Sequence, residues 1–331
     1  MIEPVIHIHN HLHTNLTATA DQRDPSRTTS LRNAFAAEMT RRFKKIAQLV
    51  WKAIVEEDVF GLQTPQVITV QQHTPGYRAF AFTQSSRKVS AFMQWIRQQV
   101  RAGILDVRDI DQIGSGVNAA WTNKYVFDSY KRGVARARYQ MRNSNDPGLM
   151  KIPAFDSGRL IGSLSTPFHL DRLGILYTRV FTELQGITSS MDADISRALA
   201  QGIADGLGPR EIARNINRAI TGGLPGAKVS YINKQGKQVS YVIPGKQRAE
   251  ILARTEIIRA HAQGQLQEFK NWRVEGVSVE AEFVTAGDDR VCFQCSSYEG
   301  NKYTIEEAYH IIPIHPRCRC IWVPLSSSRE R

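Results

Sequence analysis

Four cysteines are the whole supply of this 331-residue chain, and all four lie within residues 292–320. They form two close pairs, Cys292-Phe293-Gln294-Cys295 and Cys318-Arg319-Cys320, the second preceded by His315-Pro316-Arg317. No other feature restricts the fold as sharply. Each pair offers soft donors from one tight turn, and the spacer lets the second fold back on the first, which is what a tetrahedral ion needs. A Cys-x-x-Cys turn sets two thiolates about 3.5–4 Å apart, and zinc takes sulfur at about 2.3 Å. Two ligand sets are open: Cys292, Cys295, Cys318 and Cys320, or Cys292, Cys295, His315 and Cys318 with Cys320 spare. The His-x-x-Cys spacing repeats that of the first pair and favours the second set. Four or five donors close the shell and leave no place for a reactive water, so the expected ion is a structural Zn²⁺. The competing reading is one or two disulfides, or buried free thiols. Cysteine missing from the rest of the chain argues against a secreted disulfide framework.

The length suggests two domains, or one domain with extensions, and 42% hydrophobic residues suffice for a proper core. No run of eighteen apolar residues exists, so no membrane span is expected. The start, Met1-Ile2-Glu3-Pro4-Val5, lacks the charged and apolar regions of a signal peptide, which predicts a reducing cytoplasm where thiols stay available. Net charge is +12 and uneven. Residues 1–184 hold 24 Lys and Arg against 15 Asp and Glu, whereas residues 185–331 hold 19 against 16. The basic first half suggests a polyanion or an acidic protein surface as neighbour.

The expected class is α+β, a mainly helical N-terminal domain followed by a mixed helix and strand C-terminal domain with a zinc-knuckle-like end. Residues 1–30 read as a flexible arm, with His7, His9, His11 and His13 alternating as on one face of a strand. From residue 31, Leu31, Phe35, Met39, Phe43, Ile46, Val50 and Ile54 recur at helical spacing with Ser30 as N-cap. Arg41, Arg42, Lys44 and Lys45 occupy the opposite face. A second helix carries Val89, Phe92, Ile96 and Val100. A third, over 118–142, carries Lys131, Arg132, Arg136 and Arg138 with Tyr130 and Tyr139 interleaved, the best electrostatic footprint for nucleic acid in the chain. Residues 143–166, rich in Pro and Gly, read as a linker, dividing a basic helical domain (31–165) from a C-terminal domain (166–331) whose metal site spans 288–324. Beyond it come helices over 170–185, 191–206 and up to 220. A hairpin follows over 229–243, then a long helix over 247–272. The strand Val277, Val279, Ala281, Phe283 leads to the Asp288-Asp289 turn, and a closing strand ends at Val323.

Three phrases resemble a known family in their order and spacing. They are Ile251-Leu252-Ala253-Arg254-Thr255-Glu256, then Thr285-Ala286-Gly287-Asp288-Asp289-Arg290-Val291-Cys292-Phe293-Gln294-Cys295, then His315-Pro316-Arg317-Cys318-Arg319-Cys320. The region from about 185 to 324 resembles the phage head morphogenesis family, the minor head proteins grouped with the F protein of phage Mu. The hairpin segment 228–243 looks inserted relative to that pattern. The resemblance implies a virion protein, made in the host cytoplasm and built into the head near the portal, that assists head assembly and DNA packaging or ejection. It implies the portal protein and other head proteins as partners, with double-stranded DNA as a further contact. Arg254, Thr255, Glu256, Asp288 and Asp289 are then a structural signature without chemistry of their own.

Two enzyme readings compete. Glu280-x-Glu282 on a strand loosely resembles ADP-ribosyltransferases, though an exposed strand face explains it better. His310 and His315 with Asp288-Asp289 beside a metal suggest a nuclease, which needs an open coordination position that five competing ligands leave little room for. A plain DNA-binding module is the remaining alternative. The expectation is a protein without catalytic activity.

Overall fold

The computed structural model describes residues 24–61, 66–67, 80–81, 86–106, 120–145, 149, 157–221, 227–232, 238–243, 245–274, 277 and 279–326. The alternating histidines of the arm lie outside the described residues. The first long helix, α1 (Thr29–Trp51), buries Leu31, Phe35, Met39, Phe43, Ile46 and Val50 and widens into a π-helical turn at Lys52–Glu56. Its start is anchored by Asp24 rather than by Ser30: the Asp24 carboxylate accepts the Thr29 amide at 2.7 Å. Two short strands, β1 (Gln66–Val67) and β2 (Phe80–Ala81), pair antiparallel before α2 (Ser86–Gly103). The helix α3 (Asn123–Arg142) follows.

The expected linker contains a further helix, α4 (Ser157–Leu164). Two helices expected after it are one, α5 (Pro167–Ala204), uninterrupted at Gly186. It runs on because Leu184, Ile187, Thr188 and Met191 keep the buried stripe in phase, and Thr188 Oγ1 donates to the Gln185 carbonyl at 3.0 Å. After α6 (Pro209–Thr221) the hairpin is present as β3 (Ala227–Ile232) and β4 (Gln238–Ile243), in register from Ala227 opposite Ile243 to Ile232 opposite Gln238. The 30-residue helix α7 (Gly245–Val274) leads into β5 (Val279–Val284), α8 (Phe293–Ser296), β6 (Lys302–Tyr303), α9 (Ile305–Ala308) and β7 (Ile321–Ser326). The last three strands form an antiparallel sheet in the order β6-β5-β7. The architecture is the expected α+β, helical first and mixed at the end.

Two apolar cores organise these elements. The first joins α1, α2 and the first half of α3 to α5, α6 and part of α7, through Phe35, Phe43, Phe92, Tyr130, Leu184 and Ile257 among others. The second collects Met141, Leu266, Phe269, Phe283 and Trp322 around the sheet and the cysteines. Both α3 and α7 contribute to both cores, so this helix pair is the spine of the molecule. Its close contact depends on two glycines. A Cβ on Gly133 would overlap the His261 carbonyl, and one on Gly264 would overlap the Tyr130 carbonyl. Ser129 Oγ also donates across the pair to the Ile257 carbonyl at 2.6 Å. Bringing backbones this close multiplies dispersion contacts along both helices.

Candidate metal centre and basic surfaces

The strand β5 delivers the chain to a turn at 285–291, where Gly287 takes φ 65°, a left-handed conformation that costs glycine little. Asp288 organises this turn. It accepts the Arg290 amide at 3.1 Å and pairs with Arg290 at 2.8 Å and with Arg319 at 2.6 and 2.7 Å. Hydrogen bonding from Arg319 is the main reason its carboxyl lies well below the usual range. Arg319 stands between Cys318 and Cys320, so this ion pair ties the first cysteine turn to the second. Asp289 follows it in the same turn.

Cys292 sits in extended backbone just before α8, and its sulfur accepts the Cys295 amide at 3.3 Å. The second turn is held by the Cys318 amide donating to the His315 carbonyl at 3.2 Å and the Arg317 amide donating to Thr255 Oγ1 at 3.3 Å. The donors converge. His315 Nε2 lies 3.1 Å from Cys292 Sγ and 3.0 Å from Cys295 Sγ, and Cys295 Sγ lies 4.0 Å from Cys318 Sγ. The donor atoms fall into two overlapping triads, Cys292–Cys295–His315 and Cys295–Cys318–Cys320, each with all atoms within 4.8 Å. Cys295 belongs to both.

These groups can hold a metal ion. Zinc bonds of about 2.3 Å to sulfur and 2.0–2.1 Å to nitrogen put tetrahedral donors roughly 3.5–3.8 Å apart, inside the observed spread. His315 Nδ1 is 2.7 Å from the Pro316 carbonyl, and a proton held there leaves Nε2 with its lone pair facing the sulfurs. All four cysteines are free thiols; Cys292 is half-buried and the other three are buried. Within the coupled thiols, hydrogen bonding from Cys295, then from Cys320, holds the Cys318 thiol below the ordinary range, while hydrogen bonding with Cys318 pushes Cys295 up. A metal held there would cross-link the two turns.

The remaining signature residues brace this centre or face elsewhere. Thr255 supports the second turn as described. Glu256 is buried and lies 3.2 Å from Arg259 and 3.5 Å from Arg179 on α5. Arg254, two positions away, lines a groove with α1. The residues of the nuclease reading do not assemble: His310 is exposed, and neither it nor Asp288 joins the clustered donors. Glu282 is only 5% exposed, so the exposed strand face expected for Glu280-x-Glu282 is covered at its second position.

The basic residues of α1 and α3 separate into two kinds. Arg42 lies 4.2 Å over the Trp121 ring, donates to the Gly103 carbonyl at 2.7 Å and pairs with Glu38 at 3.0 Å. Arg138 pairs with the fully buried Glu268 at 2.6 Å and donates to Ser163 at 2.7 Å. Those two hold the helices together. Arg41, Lys44 and Lys45 instead open with Arg254 onto a groove of about 860 Å³ between α1 and α7. Arg132 and Arg136 line a smaller cleft beside the start of α1, and Lys131 is half-buried next to them. Charge counting in the sequence had no means of separating the internal arginines from the outward ones.

Residues 193–323 match the family described as Phage Mu protein F like protein. The match falls within the region read as similar from the three phrases, and it contains all five donors of the cluster. The match covers under half of the chain and is consistent with a phage Mu F-like head protein. No curated protein and no solved structure matches the chain. Among the described residues no helix is long and apolar enough to cross a membrane.

Proposed function

We propose that the chain is a minor head protein that joins the assembling phage head near the portal and assists head assembly and DNA packaging or ejection. The supporting observation is the coincidence of the matched segment 193–323 with the Cys/His centre and the α7 helix that braces it. In this reading Zn²⁺ closes the cluster formed by Cys292, Cys295, His315, Cys318 and Cys320 as a structural cross-link. The segment 166–331 acts as the head-morphogenesis part. The basic part, 31–165, presents Arg41, Lys44, Lys45 and Arg132 to the portal protein, other head proteins or double-stranded DNA. The protein passes from host cytoplasm to virion during assembly and catalyses nothing.

Quantitative mass spectrometry of purified heads tests the reading. The chain is expected at a few copies per particle and in cross-links to the portal protein. Its absence from full and empty heads alike overturns the proposal.

A further inference from the structure

The segment ahead of α1 is fixed by one carboxylate. Asp24, 2% exposed, accepts Ser26 Oγ at 2.6 Å, the Thr29 amide at 2.7 Å and Thr29 Oγ1 at 2.6 Å, and pairs with Arg32 at 2.9 Å. Its hydrogen-bonding capacity is taken up by these partners. The loop so held carries Arg27 at φ 53°, and Arg132 donates from α3 to the Arg27 carbonyl at 3.2 Å. One turn along α3 stands Arg136. Among the described residues, Ser26, Arg27, Arg132, Ala135, Arg136 and Tyr139 line a cleft of about 350 Å³, none of them a carboxylate.

Three guanidiniums in one cleft repel one another, and the repulsion registers on two groups. Burial and then the like charge of Arg27 push Arg136 below the usual guanidinium range. Beneath the cleft, the fully buried His261 is pushed down to about 3, by burial first and then by Arg136. An arrangement of this kind is relieved by an anion, and guanidinium forks match the oxygens of a phosphate. The Tyr139 ring is 52% exposed and lies 5.9 Å from the Arg136 guanidinium, so a flat group carried by that phosphate has a surface to stack on.

We propose that the cleft between the Asp24-held loop and α3 is a phosphate-binding site, with Arg27, Arg132 and Arg136 gripping the phosphate and Tyr139 facing the attached sugar or base. The assignment is independent of the head-protein reading. The phosphate can come from a free nucleotide or from a nucleic acid strand, and the test separates the two.

The full chain is titrated with inorganic phosphate and dAMP by calorimetry, and with labelled single-stranded and duplex oligonucleotides by anisotropy at about 50 and 200 mM salt. The Arg27→Ala/Arg132→Ala double variant changes only exposed side chains and is expected to weaken binding about tenfold or more. Its log–log salt slope for oligonucleotides is expected to fall by about one per lost phosphate contact. Arg136→Gln, with a melting curve to confirm folding, is expected to weaken binding likewise. Tyr139→Ala should weaken dAMP while sparing inorganic phosphate. Lys302→Ala, an exposed side chain on β6 outside the cleft lining, should leave phosphate and dAMP binding unchanged. Binding of phosphate and dAMP marks a nucleotide site, whereas binding of oligonucleotides alone marks a strand site. No binding of any phosphate probe, or equal affinity for the wild type and the Arg27→Ala/Arg132→Ala variant, overturns the proposal.

Discussion

The two cores solve the same problem with different means. The first is built mainly from six helices of 13 to 38 residues that bury apolar stripes against one another, with the eight-residue α4 adding Leu160 and Leu164. The second has only the ends of α3 and α7 as long elements. The rest is helices of four residues, a two-residue strand and two six-residue strands. Elements that short cannot hold themselves by propensity or local hydrogen bonds. They are fixed by side chains instead. Thr304 and Glu307 form a capping box around α9, Gln265 bonds the Trp322 backbone at 2.8 and 3.3 Å, and Asp288 clamps Arg319. The Cys/His cluster sits where a small module needs a staple most.

The largest effect should come from metal removal. Chelation is expected to cost the second core several kcal/mol, since metal-binding energy in such modules is folding energy. Hydrogen exchange should show β5 and β7 losing protection while α1 and α2 keep theirs. Uniform loss across both cores, or none with metal content near zero, breaks the contrast.

The joint between the cores comes next. Glu268 is fully buried, bonded by Arg138 at 2.6 Å and Trp272 at 2.7 Å, with His169 3.5 Å away. Burial opposes its charge, but the nearby His169 and the charge and hydrogen bond of Arg138 outweigh this and hold its carboxyl below the usual range. Glu268→Gln leaves a half-buried guanidinium without its partner and is expected to cost about 3–5 kcal/mol. A depressed carboxyl stabilises fully above its unfolded value and loses that contribution as pH falls through the folded one. The gap between wild type and variant in urea melts should therefore be constant above about pH 5 and narrow below about pH 4. A gap that widens in acid contradicts this account.

A smaller loss, about 1–3 kcal/mol, is expected for Gly264→Ala, because the added methyl forces α7 off the Tyr130 backbone. Since the spine serves both cores, a single thermal transition should shift down as a whole. Loss confined to one core would show the spine to be less shared than its packing indicates.

Much of this was legible in the chain itself. The cysteine spacing announced the centre, and period-3.6 stripes placed α1, α2 and α7. Alternation placed β5, and the polar tip Asn233-Lys234-Gln235-Gly236-Lys237 placed the hairpin. Misreadings arose where a local signal was outvoted by packing. Gly186 and the serines after it look like a helix end, yet buried Ile187 and Met191 carry α5 through. Arg42 and Arg138 look like footprints for a polyanion, yet one is spent on Trp121 and the other on Glu268. The acids that anchor them, Glu38 and Glu268, are respectively four residues and more than a hundred away, and only the first distance fits a helical turn. The fit of Gly133 against the His261 backbone and of Gly264 against the Tyr130 backbone had no sequence signal at all, because a lone glycine in a helix reads as a defect until its partner is known.

The spine also sets what can be cut from this protein. Along α7, Leu252, Ala253, Ile257 and Ala260 rest on the first core, and α1 and α3 supply much of their cover. A fragment limited to residues 193–323 would keep the sulfur donors but lay bare that flank, trading an interior seam for an adhesive surface. Whatever takes the place of α1 and α3 in a shortened protein must be oily, close-fitting and able to accept two naked stretches of backbone.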